Sequence, residues 1–266
     1  MRLSIITINL NNSAGLRKTI ESVINQTSTE FEYLIIDGDS TDGSIGVIKE
    51  YASKIAYWVS EPDGGIYQAM NKGIQMAKGE YCQFLNSGDW LISKDTTSQM
   101  LNVIENEPII VGHMVKELTN GKLYFDRRPS SQKVTMLTFF RGTINHSPAY
   151  IRRSLFDTYG LYDETLRIVS DWKWYLIVVG LNNVPVIFCN IDVTRFDMTG
   201  ISSTSKVVEQ QERKKVLSEL LPPTILADYQ AHWKNIDQAR RINRYKIPRF
   251  FFKWVDKLLN KWEKYR

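Results

Sequence analysis

Cysteine is nearly absent from this chain: it has two, Cys82 and Cys189, far apart in sequence. They form neither a metal-type pair nor a disulfide framework, and the pattern is that of reduced thiols in a cytosolic protein. Long apolar runs are missing too. Stretches such as Leu34-Ile35-Ile36 and Ile109-Ile110-Val111 fall far short of the roughly 20 residues that a bilayer-spanning helix needs. The opening MRLSIITINLNN is too short and too polar in its apolar part for a signal peptide. A cytoplasmic protein with no transmembrane span is therefore expected. No internal repeat and no low-complexity linker interrupts the sequence.

Apolar residues make up 43% of the 266, enough for a real core and evidence against wholesale disorder. The length suits one large α/β domain, or a medium domain with an extension. Charge is unevenly placed. From Arg240 to Arg266 there are ten Lys or Arg against Asp256 and Glu263, a net +8. The remainder holds 24 bases and 27 acids, a net −3. That asymmetry points to an anionic surface met by the tail and excludes a nucleic-acid-binding core.

Residues 1–105 alternate regularly. Buried-type strands are expected over Leu3 to Leu10, Phe31 to Asp37, Ile55 to Ser60 and Glu80 to Asn86. Helices fall between them: one capped by Ser13 with Leu16, Ile20, Val23 and Ile24 on one face, then Ser44 to Tyr51, then Ile66 to Ala77. Such units imply a mostly parallel sheet with helices on both faces, and ligands beyond the carboxyl ends of its strands. The polar clusters lie at those ends: Thr7-Ile8-Asn9, Asp37-Gly38-Asp39, Glu61-Pro62-Asp63 and Asn86-Ser87-Gly88-Asp89. After residue 105, short strands (Ile109 to Met114, Leu123 to Phe125, Ser147 to Ile151) mix with helices, notably Ser170 to Val179, and from Ser203 onward the pattern is helical.

Asp37-Gly-Asp39-Ser-Thr-Asp42-Gly43 resembles a calcium loop only superficially, since an EF-hand frame starting at Asp37 puts Asp42 in the glycine position and Ile48 in that of the bidentate Glu. Carboxylates at a strand end can instead accept from a nucleobase N–H or ribose hydroxyls, alongside the bland role of capping the next helix. Asp63-Gly64-Gly65 opens a helix, and glycines there let backbone approach a sugar or phosphate at the helix N-terminus.

Taken in order, SIITINLNN, IIDGDSTDGS, EPDGGIYQAMNKGIQMAKGEYCQFLNSGD and NHSPAYIRRSLFDTYGLYDETLRIVSDWKWYL resemble glycosyltransferase family 2 over residues 1–200. The resemblance implies the GT-A fold, a Rossmann-like, mostly parallel sheet flanked by helices, here with a helical C-terminal extension. Residues 1–202 would form the transferase domain, with 1–105 the nucleotide-sugar half and 106–202 the acceptor half, and 203–266 the extension. It implies transfer of a sugar from a nucleotide-diphosphate donor, read as UDP-linked, to a saccharide or lipid-linked saccharide hydroxyl. Inversion, a divalent Mg or Mn and a setting in polysaccharide biosynthesis come with it.

The family pattern Phe-Leu-Asp-Ala-Asp-Asp puts Asn86 at the first Asp, Gly88 at the second and Asp89 after them. Gly88 cannot bind metal, which leaves a weakened site centred on Asp89, with Asn86 adding a neutral oxygen. The resemblance makes Asp171 the base that deprotonates the acceptor, in a place where it could also cap its helix. Donor-binding residues expected on both grounds are Thr7, Asn9, Asp37, Asp39, Asp63, Gly65, Lys72 and Asn86. His146, one of three histidines, is a candidate metal ligand or a hydrogen-bonded structural residue. Of Trp172 and Trp174, one can be core and the other an apolar wall for a sugar. Arg195 and Thr199-Gly200-Ile201-Ser202 resemble a late flap over the donor.

In the tail, Ile247, Phe250, Phe251, Trp254, Val255, Leu258, Leu259, Trp262 and Tyr265 recur at helical spacing, with Arg249, Lys253, Lys257, Lys261 and Lys264 on the other side. A helix of residues 247–265 lying on an anionic membrane is one reading, placing the protein peripherally on the inner face of the plasma membrane. Packing on its own domain or on a second copy of the chain, as a homodimer, is the other. Two rival functions remain open: a non-catalytic nucleotide-sugar or membrane-binding module, and a sugar nucleotidyltransferase. The latter wants a basic, Gly-rich loop after the first strand, whereas NLNNSAG is neither.

Overall fold

The structure, a computed structural model, describes residues 1–117, 121–198, 205–242 and 246–263. It divides into two compact units, Met1–Arg213 and Lys214–Arg266. The first therefore continues past residue 202, where the sequence suggested a boundary.

The first unit opens with β1 (Leu3–Asn9), α1 (Ser13–Ile24), β2 (Phe31–Asp37), α2 (Ser44–Glu50), β3 (Tyr57–Ser60), α3 (Ile66–Met76) and β4 (Tyr81–Phe84). β5 (Trp90–Leu91), α4 (Thr96–Asn102), β6 (Ile109–Glu117), β7 (Leu123–Asp126) and α5 (Met136–Arg141) follow. It continues with β8 (Ala149–Arg152), α6 (Ser154–Tyr159), α7 (Ser170–Tyr175) and β9 (Val186–Phe196). One mixed sheet runs β3-β2-β1-β4-β8-β6-β9-β5, with β7 paired to β6.

β3, β2, β1 and β4 are mutually parallel, so their carboxyl ends share one rim. The register sets Asn9 beside Asp37 and Asp37 beside Ser60. Every residue of β1 is buried, as its near-continuous apolar run requires when both faces of a parallel sheet are covered. On one face Leu16, Ile20 and Val23 of α1 join Leu3, Ile5, Tyr33 and Ile35 in the core. On the other, α3 comes so close that a Cβ on Gly73 would lie 2.4 Å from Ile6 Cγ2. Each fully buried Ile or Leu here contributes roughly 1.5–3 kcal/mol over an exposed one.

The structure adjusts several sequence expectations. Asn12, not Ser13, caps α1, its side chain accepting the Gly15 N–H, while the Ser13 N–H goes to Asp42. β8 runs antiparallel to both its neighbours β4 and β6, which interrupts the parallel pattern before β6 and β9 resume it. β5 and the eleven-residue β9 were not anticipated. The helix expected through Val179 is α7 followed by a π-helical turn, Leu176–Leu181.

α8 (Lys206–Leu220) runs across the boundary between the units, and α9 (Pro223–Ile242) and α10 (Lys246–Glu263) lie in the second. No helix among the described residues is long and apolar enough to cross a membrane. On α10, Phe250, Phe251, Trp254, Leu258 and Leu259 are exposed, as are Lys253, Lys257 and Lys261.

Candidate active site

The rim is built from within. Asp37, fully buried at the end of β2, accepts from Asn9 Nδ2 (2.6 Å), Ser40 Oγ (2.7 Å), the Ser40 N–H (2.9 Å) and Ser60 Oγ (2.6 Å). Burial pushes its carboxyl upward, but the bonds from Ser40, Ser60 and Asn9 outweigh it and hold the group below its ordinary value. Thr7 is equally enclosed, bonding Leu85 O at 2.7 Å and Tyr33 Oη at 3.0 Å. Asn9 spends its amide hydrogens on Asp37 and Ser40. Of the residues expected to bind the donor, Thr7, Asn9 and Asp37 use these bonds to hold the ends of β1 and β2; Asp37 meets four donors, whereas Asn9 Oδ1 is enclosed with no hydrogen-bond partner.

The outward groups are others. Asp39, in the left-handed region at φ 64°, is exposed. Gly38 leaves a gap beside it that Asp63 fills: a Cβ on Gly38 would stand 2.9 Å from Asp63 Oδ2. Asp63 Oδ1 takes the N–H of Gly65, which begins α3 at φ 124°, a conformation that favours glycine. Lys72 is paired with Glu61 at 2.8 Å.

The turn after β4 is clamped by α1. Ser87 N–H bonds Ile8 O, Gly88 N–H bonds Thr19 Oγ1, and Asn12 Nδ2 bonds Ser87 O. Asp89 is buried and caps no helix, since β5 follows it directly. Its Oδ1 accepts the Asp197 N–H at 2.8 Å. Burial pushes its carboxyl up to about 8; the Asp197 N–H opposes this and the Asp197 charge adds to it. Asn86 Oδ1 is enclosed with no hydrogen-bond partner. Trp90 carries Lys18 Nζ 3.2 Å and Arg195 Cζ 5.1 Å from its ring centroid, which brings positive charge to this turn. The segment Thr199–Ser202, expected as a flap, lies outside the described residues.

A divalent metal, as implied for the family, would find oxygen donors here: the Asp89 carboxylate and the orphaned Asn86 Oδ1. That set suits a hard cation that takes its remaining ligands from a diphosphate and water. Among the described residues no group of three His, Cys, Asp or Glu could hold a metal ion. His146 does not join Asp89. It stacks on Phe84 (4.8 Å, 19°), and its Nε2 meets Tyr162 Oη at 2.8 Å. Burial holds its pKa down, against the pull of the Asp171 charge.

Asp171 sits in the first turn of α7, where Tyr67 Oη donates to its Oδ1 at 2.9 Å. Tyr67 is two residues beyond Gly65, so Asp171 is tied to the same rim as the turn that opens α3. Burial and the Asp171 charge hold the Tyr67 pKa well above its ordinary value, and Tyr67 keeps its proton and donates. Glu212 of α8 accepts the N–H groups of Arg167, Ile168 and Val169, anchoring the segment that leads into α7. Trp172 and Trp174 are both buried, bonding Phe139 O and Gly160 O, so neither is a solvent-facing wall. Tyr67, Asp197 and Glu212 were missed from sequence. Only Tyr67 left a trace there, as the aromatic beside the paired glycines.

Comparisons with known proteins agree with this architecture. The profile of glycosyl transferase family 2 matches residues 4–165. A PGL/p-HBAD biosynthesis glycosyltransferase of Mycobacterium bovis is 28% identical over 224 residues, covering 80% of this chain and 83% of that protein. An uncharacterized glycosyltransferase of Mycobacterium tuberculosis is 30% identical over 207 residues, covering 76% and 77%. Among solved structures, S. aureus TarS 1–349 in complex with UDP-GlcNAc aligns with TM-score 0.66 at 19% identity, over 88% of this chain and 72% of that one. The mannosyltransferase PcManGT from Pyrobaculum calidifontis, in complex with GDP-Man and Mn2+, aligns with TM-score 0.64 at 14% identity, over 94% and 82%. A parallel rim of acids, a carboxylate brought to it by α7, and these likenesses have one explanation: the chain belongs to glycosyl transferase family 2 and is a glycosyltransferase of the GT-A fold.

Proposed function

We propose that the chain transfers a sugar from a UDP-linked donor to a hydroxyl of a saccharide or lipid-linked saccharide, with inversion, in polysaccharide assembly. The observation that carries this reading is the Tyr67–Asp171 bond, which puts the one carboxylate of α7 beside the turn that opens α3. Asp171 takes the proton of the acceptor hydroxyl as its oxygen attacks the anomeric carbon, and the diphosphate departs with the bonding electrons from the opposite face. Asp39 and Asp63 accept hydrogen bonds from the ribose and nucleobase, with the Gly65 turn open to the sugar. Asp89 and Asn86 Oδ1 would hold Mg2+ or Mn2+, which when bound neutralises charge on the leaving diphosphate. Lys18 and Arg195 add positive charge around Trp90.

The test is UDP-sugar turnover, measured as UDP release with and without acceptor. Asp171→Asn should lower turnover by roughly 10²–10⁴-fold, the usual contribution of a general base, with UDP affinity kept. Asp89→Asn should remove the dependence on Mn2+. Full turnover in Asp171→Asn would end the proposal. The basic, aromatic α10 favours a lipid-linked acceptor over a soluble one, because the same helix can rest on the membrane that carries it.

A further inference from the structure

We infer that Asp197 supplies the second carboxylate of the cation site, in the space that Gly88 leaves open. β5 and β9 run antiparallel with Trp90 opposite Arg195. Continuing that register by two residues sets Gly88 opposite Asp197. The side chains bear this out: a Cβ on Gly88 would lie 2.6 Å from Asp197 Oδ2 and 3.2 Å from Asp197 Cβ. An acid at position 88 would therefore collide with the acid already there, and the backbone of Gly88, at φ 104°, disfavours any side chain. The Asp197 N–H on Asp89 Oδ1, at 2.8 Å, locks the two acids into a pair.

A cation between two neighbouring carboxylates offsets their mutual repulsion. Asn86 Oδ1, on the same turn and enclosed without a partner, is an independent sign that an electropositive group belongs there. Two carboxylates, a neutral oxygen, diphosphate oxygens and water make a ligand set for Mg2+ or Mn2+, both of which keep several waters. The site on Asp89 is thus not weakened by Gly88; its second acid comes from the end of β9, 108 residues away in sequence. Asp197 plays this part only if the chain handles a nucleoside diphosphate, so it rests on the transferase reading above.

The experiment titrates the full-length protein with Mn2+ in the presence of UDP, following the free-ion signal by electron paramagnetic resonance, and measures UDP binding without metal by calorimetry. Asp197→Asn should weaken Mn2+ binding at least as much as the roughly 10–100-fold typical of lost supporting groups at metal sites, with metal-free UDP affinity and melting temperature unchanged. Asp197→Glu, which keeps the charge, should retain the ion within a few-fold. Unchanged Mn2+ affinity in Asp197→Asn would overturn the inference and leave the transferase reading standing. Equal loss in Asp197→Asn and Asp197→Glu, with a lower metal-free melting temperature in both, would overturn it in favour of a packing role. Absence of Mn2+ binding by the unaltered protein with UDP would remove the metal-assisted reading itself.

Discussion

Tyr67 reaches across 104 residues of sequence to donate its hydroxyl hydrogen to Asp171 Oδ1 at 2.9 Å. The bond joins the first turn of α3 to α7. On the proposed reading it brings the donor-side loops to the base that serves the acceptor. The Ile168 carbonyl lies within reach of the same hydroxyl and shares its single hydrogen with Asp171, so Tyr67 is held against the start of α7.

Removing only that hydroxyl tests its part. Hydrogen bonds to charged groups contribute about 1.5–3 kcal/mol. Tyr67→Phe should therefore lower kcat by about 10-fold or more, through a base held in several orientations, while the KM for the donor stays within a few-fold. Steady-state kinetics with varied UDP-sugar separate the two. A change confined to KM would show that Tyr67 serves donor binding and not the base.

Glu212 supports the segment that leads into α7. It is the acceptor for the successive N–H groups of Arg167, Ile168 and Val169, which precede that helix. Its neighbour Arg213 lies 4.8 Å from the Trp172 ring and donates to Gly142 O. A hydrogen bond to a charged group contributes about 1.5–3 kcal/mol. Glu212→Ala should lower the melting temperature by a few degrees and reduce kcat, whereas Glu212→Gln, keeping one acceptor oxygen, should recover part of both. Thermal unfolding and turnover of the two variants settle it.

How the sequence foretold some of this and hid the rest follows from where each constraint lives. Asp37, Asp63 and Asp89 stand at the ends of short apolar runs, and a parallel sheet sends such ends to one rim. That much is local pattern plus topology. Whether such an acid is spent or available is not local. Asp37 is consumed by Asn9, Ser40 and Ser60, and Asn9 and Ser60 arrive from the two adjacent strands. Asp197 was invisible because its place depends on β9, whose pairing with β6 shifts register between Val111 and Met114. No count along the sequence yields that shift. Glu212 left no trace in the sequence, since an acceptor supplied to a loop from another element has no fixed spacing to search for.

Gly38 and Asp63 give a prediction about the donor. Gly38 has no side chain, and the Asp63 carboxylate fills the space over it. With Oδ1 bonded to the Gly65 N–H, Oδ2 can accept the N3–H of uracil, a donor that cytosine lacks. Calorimetry should therefore find UDP bound more tightly than CDP. Asp63→Asn should weaken UDP by about 10-fold, as expected for a lost bond to a charged acceptor, and narrow the gap to CDP. Equal binding of both nucleotides by the unaltered protein would remove Asp63 from base recognition.

Acid stability provides a check on the loop before α7. Asp163 bonds Lys173 Nζ at 2.6 Å and also takes the Thr165 hydroxyl. Burial pushes its carboxyl up, but Lys173 and Thr165 prevail and bring it down to about 2. A carboxyl whose native pKa is depressed stabilises the fold above its unfolded value near 4, and that stability is lost as pH falls from there toward about 2. Asp163→Asn should then cost about 1–2 kcal/mol at neutral pH, after allowance for partial exposure, and almost nothing at pH 2. Urea unfolding of both proteins at pH 7, 4 and 2 measures the difference. A penalty that persists unchanged at pH 2 would mean that Asn is harming packing and not an ion pair.

The last prediction concerns α10. Phe250, Phe251, Trp254, Leu258 and Leu259 are exposed on it, and Lys253, Lys257 and Lys261 stand along its border. An interfacial helix gains from both sets: apolar area enters the acyl boundary, and each base near an anionic leaflet contributes about 1 kcal/mol. Three lysines then account for about 3 kcal/mol, a little over 100-fold in binding. The full-length protein should co-sediment with phosphatidylserine vesicles at low salt, and less well at 0.5 M salt or with neutral vesicles. Converting the three lysines to glutamate should reduce binding at least 100-fold, and serine at Phe251 and Trp254 should reduce it even at low salt. Turnover of a soluble acceptor should be unaffected in both variants, whereas turnover of a lipid-linked acceptor in vesicles should fall with binding. If sedimentation instead ignores the lysines while light scattering finds a dimer that the serine variant splits, the aromatic face is a contact between copies of the chain.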